Sequence, residues 1–313
     1  MKKALAFLLP LLAAVPMTAQ DNFVNMEIKQ FEEQKIESGK EYYGDIPARM
    51  TKVVTAGDNS MTDLLLRNAV EENWNISPFE FCSYEEFERI KTDTSYYFLV
   101  RLEKKHRSEN DPAMEFLCFL KGNEKADRNI SSMPEIISLP LFPEDGDGDR
   151  IFTYLPAYMN IIQNYIQKIV DGRIYPSKRG MVQTGVFEKN RNTKLLFLKG
   201  DLAYNPSMQE FERMFRGRAE EVSQDNIDIA LAEGFPHTLV SLVVAPEEVY
   251  GKAFCYKLII SADTYELLYF KRHRINDRRG AGFLKQDLRR ISRLITPQIN
   301  LFKGVPKEKK DKK

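Results

Sequence analysis

The sequence predicts an α/β (α+β) protein built from two tandem duplicated modules. Each is expected to be a mixed, mostly antiparallel sheet with helices packed on one face, in the order β-α-β-α-β-β-β-α. Strand-like and helix-like segments follow one another in the same order twice, from Thr51-Lys52-Val53-Val54 to Asp171 and from Thr193-Lys194-Leu195-Leu196 to Ile295. The chain of 313 residues with 43% apolar content is long and apolar enough for two cores. A Pro- and Gly-containing stretch, 173–192, separates the runs and reads as a linker.

In the first module (48–172), Thr51–Val54 opens as a strand. Asp58 or Ser60 caps a helix, with Asp63 completing a capping box and Met61, Leu65, Leu66, Ala69 and Val70 as its inward stripe. Trp74–Phe81 reads as a short strand, with Pro78 marking an edge or bulge. Ser83 and Glu86 box the start of a short helix carrying Phe87 and Ile90. Three strands follow over Tyr96–Glu103, Glu115–Lys121 and Glu135–Leu139, rich in aromatic and branched residues. The closing helix carries Tyr158, Ile161, Ile162, Tyr165, Ile166 and Ile169 at helical spacing, and Gly172 stands at its end.

The second module (193–297) repeats the plan. Leu195–Leu198 is a strand, and Ser207 with Glu210 caps a helix whose inward residues are Met208, Phe211 and Phe215. Ala219–Ser223 is a short strand, capped onward by Ser223, and Ile227, Ala230 and Leu231 lie on a short helix. Thr238–Val244, Ala253–Ile260 and Tyr265–Phe270 are strands, and Leu284, Leu288, Ile291 and Ile295 form one face of a helix that Pro297 ends.

The chain ends bear on compartment. Lys2 and Lys3 precede the apolar run Ala4 to Val15, and small residues at Thr18 and Ala19 make 1–19 an expected export signal, followed by a polar lead-in over 20–47. The run is shorter than the ~20 residues that span a bilayer, and no later stretch is apolar enough to do so. A periplasmic or secreted location follows. Cys82, Cys118 and Cys255 are too few for a disulfide framework and read as buried apolar residues, the latter two on matching strands.

Charge is unevenly spread. Residues 271–313 hold fifteen Lys and Arg against four Asp and Glu, a local +11; the whole chain is +1, which leaves −10 for residues 1–270. Arg278, Arg279, Arg289, Arg290 and Arg293 therefore stand out as contacts for an acidic envelope protein or an anionic envelope surface. An exported protein excludes nucleic acid as the natural partner. The Lys-rich end, 298–313, reads as a basic tail, either solubilising or part of the same contact. Trp74 is a candidate partner-binding ring, since Trp and Tyr of exported proteins stack on sugars or anchor protein partners.

Catalytic constellations are sparse. His106 and His273 sit among Lys and Arg, and His237 is about 13 Å along a strand from Ser241, too far for a proton relay. No phosphate loop, dinucleotide fingerprint, nucleophile elbow or zinc-protease motif is present. Asp145, Asp147 and Asp149 alternate with glycines like the first ligands of a calcium loop, but Arg150 and Pro156 replace the glycine and glutamate such a loop needs. No cofactor is expected, with Ca²⁺ at those aspartates the one candidate. Trp74–Phe81, Glu85-Glu86-Phe87 and Ser95-Tyr96-Tyr97-Phe98-Leu99 together resemble exported proteins of Bacteroidetes bacteria, a resemblance that brings no activity or site residues. The element order is also similar to small α/β modules of envelope proteins such as the TolB amino-terminal domain. The functional expectation is a non-enzymatic envelope protein that binds or scaffolds another envelope component. The alternative is a periplasmic hydrolase or small-ligand-binding protein whose site assembles only in three dimensions.

Overall fold

The structure is a computed structural model that describes residues 30, 32–57, 60–104, 113–143, 149–177, 182, 193–247 and 253–295. A helix over residues 32–43 (α1) and a 3-10 turn, Ile46–Ala48, lead in. The first module runs Thr51–Thr55 (β1), Met61–Asn73 (α2), Phe79–Ser83 (β2), Tyr84–Ile90 (α3), Tyr97–Lys104 (β3), Met114–Lys121 (β4), Glu135–Pro143 (β5), Asp149–Phe152 (α4) and Leu155–Val170 (α5). The second runs Lys194–Leu198 (β6), Met208–Phe215 (α6), Ala219–Val222 (β7), Gln224–Ala232 (α7), Thr238–Val244 (β8), Phe254–Ser261 (β9), Leu267–Arg274 (β10) and Lys285–Ile295 (α8). The sheets are ordered β2-β1-β3-β4-β5 and β7-β6-β8-β9-β10, the same order twice, and the duplicated α/β plan holds.

In each sheet the first strand is parallel to both neighbours, and the last three strands are antiparallel. This explains one difference from expectation, that the helices do not all share a face. From β1 the chain crosses to β2 on one side, then returns past β1 to β3 on the other. Right-handed crossovers in opposite directions place α2 and α3 on opposite faces. Tyr97 and Trp74 accordingly meet Phe119, each with ring centroids 5.6 Å apart, on the α2 face. Phe98, the next residue of β3, meets Phe87 of α3 at 5.1 Å on the other face.

The second sheet repeats the division. Leu195, Phe197, Leu239 and Ile259 form a core with Phe215 of α6 and Leu288, Ile291 and Ile295 of α8. Leu196, Val240, Leu258 and Ile260 turn the other way, pack with α7, and join the core of the first module. The closing helices differ because of this. α5 packs beside α2, is buried on nearly every side, and lies against the β9–β10 turn through Ile161, Tyr165 and Lys168. α8 buries a single stripe at Leu288, Ile291, Ser292 and Ile295. A helix apolar all round needs cover all round, and only α5 has it.

Three serine caps form as expected: Ser60 accepts from Asp63 N, Ser83 from Glu86 N and Ser207 from Glu210 N. Met61 and Met208, expected to point inward, are 63% and 89% exposed, each being the first residue after its cap. The second strand begins at Phe79, not Trp74. Residues 74–78 form a loop pinned by Gln163 of α5, whose Oε1 accepts from Asn75 N (2.6 Å) and Ile76 N (3.0 Å). No helix among the described residues is long and apolar enough to cross a membrane. The segments expected to be a signal (1–19) and a basic tail (298–313) lie outside the described residues.

Candidate functional site: the basic face of the second module

The face begins with a buried foundation. Lys257 on β9 and Asp287 on α8 are both buried and form an ion pair. Tyr269 donates to the other carboxylate oxygen at 2.6 Å, and Leu284 N donates at 2.9 Å. Burial alone would raise the Asp287 carboxyl, but these hydrogen bonds, from Lys257 and Tyr269 above all, hold it below the usual carboxylate range. The ion pair fixes α8 to its sheet, and Arg218 secures the far end by donating to Ile295 O at 3.0 Å.

Above this foundation the outer side of α8 is cationic. Arg289, Arg290 and Arg293 are exposed, as are Arg278 and Arg279 in the turn that follows β10. Among the described residues none of these five guanidinium groups has a carboxylate within ion-pair distance. Lys285 differs, since Glu210 (3.0 Å) and the Tyr204 hydroxyl (2.8 Å) engage it. His273 is buried beside the 276–279 turn, its Nε2 2.9 Å from Gly280 O. Burial holds its pKa below the ordinary histidine value, and Lys257 and Arg279 act in the same direction.

The remaining expected residues are placed elsewhere. Trp74 is 5% exposed, donates to Ser77 Oγ at 3.0 Å and packs on Phe119, so its ring belongs to the core and is not offered to a ligand. Asp145 and Asp147 lie outside the described residues, and Asp149 opens α4. Among the described residues no three His, Cys, Asp or Glu side chains gather closely enough to hold a metal. The three cysteines are buried and free, and burial pushes the Cys82 and Cys255 thiols each up to about 11, which keeps them protonated at neutral pH. Ser241 accepts from Leu198 N (3.0 Å) and donates to Asp201 (2.8 Å). His237 is tied through its backbone N–H to Asp263.

Sequence reasoning missed two networks at the carboxyl ends of the parallel strands. In the second module Asp201, just past β6, receives both terminal nitrogens of Arg150 at 2.8 Å, and Tyr154 donates to Ser241 O at 2.6 Å. Arg150 and Tyr154 belong to the first module, so these bonds cross the seam, where Phe116 and Tyr256 also meet edge to face at 5.3 Å. In the first module Arg101 lies 3.1 Å from Asp63 and 3.4 Å from Glu115. Burial raises the Glu115 carboxyl, and Arg101 opposes the shift. Comparison with protein-family models, with curated proteins and with solved structures gave no match to this chain.

Proposed function

We propose that this chain is an exported, non-enzymatic protein of the cell envelope that binds or scaffolds another envelope component, with the basic face of the second module as its contact. The observation that carries this reading is the set of five exposed arginines without an ion-pair partner, three on α8, which a buried ion pair fixes to its sheet, and two in the 276–279 turn, closed by the Asn276–Arg279 bridge. The polar groups gathered elsewhere, Arg150–Asp201–Ser241 and Arg101–Asp63–Glu115, are engaged with one another, which favours a structural role for them. Export rests on the sequence of residues 1–19 and on the resemblance to exported proteins.

The test is fractionation of cells expressing either the natural protein or Arg289→Gln/Arg290→Gln/Arg293→Gln. The natural chain is expected in the envelope fraction and to be released by high salt, because surface charges interact over only about 8–10 Å at physiological ionic strength. The triple variant is expected in the soluble fraction. An unchanged distribution of the variant at both salt concentrations would overturn the assignment of the contact.

A further inference from the structure

We infer that the basic face of α8 and the 276–279 turn is a docking surface for the phosphate headgroups of an anionic lipid bilayer. This names the partner of the contact proposed above and rests on that reading. Three observations point to lipid phosphate over an acidic protein. The first is the purity of the charge. The exposed side of α8 holds Gln286, Arg289, Arg290 and Arg293 and no acid, its one carboxylate, Asp287, being buried under it, while the turn carries one exposed acid, Asp277, beside Arg278 and Arg279. A face that only confers solubility mixes both signs, as α6 does with Glu210, Glu212 and Arg213.

The second observation is residue type. The five cations of the helix and turn are all arginine, whose planar fork engages two oxygens of a phosphate at once, and Lys271 of β10 is a further exposed cation. The third is the lack of an apolar anchor. Protein–protein contacts draw most of their energy from a few buried aromatic or aliphatic groups, but the apolar residues of α8 at Leu288, Ile291 and Ile295 are already buried against the second sheet. α8 also stands where α5 stands in the first module. There the outer side carries Ile and Tyr because the second module covers it; here arginine takes their place.

Sedimentation of the purified chain without the expected export signal (residues 20–313) with vesicles tests this inference. Vesicles of phosphatidylcholine containing phosphatidylglycerol are compared with phosphatidylcholine alone, at low salt and at 0.5 M salt. Binding is expected only to the anionic vesicles and only at low salt. Each basic side chain near such a surface contributes about fivefold in partition, so Arg289→Gln/Arg290→Gln/Arg293→Gln should bind roughly a hundredfold more weakly. Arg278→Gln/Arg279→Gln provides an independent variant away from the helix, with an expected loss of about twenty-fivefold. Circular dichroism confirms that each variant is folded.

Equal binding to both vesicle types or full binding by the triple variant would each overturn the inference. Soluble polyglutamate that captures the chain as tightly as the vesicles do would overturn it in favour of an acidic protein. If vesicles fail while envelope association in cells still depends on the arginines, the lipid assignment falls and the scaffolding reading stands.

Discussion

Replacing Asp201 with alanine tests whether the two modules form one cooperative unit. The carboxylate is 4% exposed and accepts three bonds of 2.8 Å, two from Arg150 across the seam and one from Ser241. Its removal leaves the half-buried Arg150 guanidinium with only a long bond to Val243 O (3.5 Å) and the fully buried Ser241 hydroxyl without an acceptor. Breaking a buried charge pair costs about 3–5 kcal/mol. Arg150 retains 27% exposure, so part of its charge can return to water. The expected loss for Asp201→Ala is therefore about 3 kcal/mol, near the lower bound of that range. Arg150→Met should cost a similar amount by stranding the carboxylate, and the double variant should cost much less than the two singles together.

The assay is urea denaturation of the natural chain, both single variants and the double variant, followed by fluorescence and circular dichroism. The natural chain is expected to unfold in one transition and Asp201→Ala in two, as the seam yields first. A coupling energy of about 2 kcal/mol is expected from contacting residues in one network. Coupling below about 0.5 kcal/mol, the level at which distant sites simply add, would refute the seam as a source of stability.

Three further outcomes follow from the same geometry. Lys257→Met strands the buried Asp287 carboxylate and should cost about 3–5 kcal/mol in urea denaturation, whereas Lys285→Met on the exposed side of the same helix should cost under about 1 kcal/mol. The folded His273 pKa lies below the unfolded value of ~6.5, so its contribution to stability is complete above that pH and is lost as pH falls toward the folded value. His273→Gln, which keeps the neighbours Lys257, Asp287 and Arg279, should flatten the decline of Tm as pH falls below about 6.5. Trp74→Phe removes the bond to Ser77 and should lower stability by about 1–2 kcal/mol, with envelope association unchanged; loss of association with stability intact would restore a binding role for the ring.

Much of the fold was readable because it is locally encoded. The boxes Ser60–Asp63, Ser83–Glu86 and Ser207–Glu210 announce helix starts within four residues, and Thr238–Val244 declares itself through branched apolar residues. Ser223 shows the limit of that signal, since its hydroxyl bonds Asn226 Oδ1 and no backbone N–H. What sequence could not place depends on residues far apart. Gln163 sets where β2 begins from 87 and 88 positions away, and Arg150 meets Asp201 across 51. The face occupied by α3 depends on strand order, which no local pattern records. The arginines of the basic face were readable as residues, while the Lys257–Asp287–Tyr269 foundation beneath them was not, because a lysine in a strand shows no sign of burial.

The opposed helices of each module have a consequence for how the duplicated halves are used. Where a chain leaves β1 in one direction and β3 lies in the other, the strand ends part and leave a notch, the usual place for ligands in open α/β sheets. Both modules inherit that notch. In the second, Asp201 and Ser241 line it, and Arg150 and Tyr154 of the first module fill it. The inherited socket of one copy has thus become the joint that holds the pair together, and the copies are no longer interchangeable. A chain built from two second copies would bring no Arg150 or Tyr154 to Asp201 and Ser241 and would lack that joint.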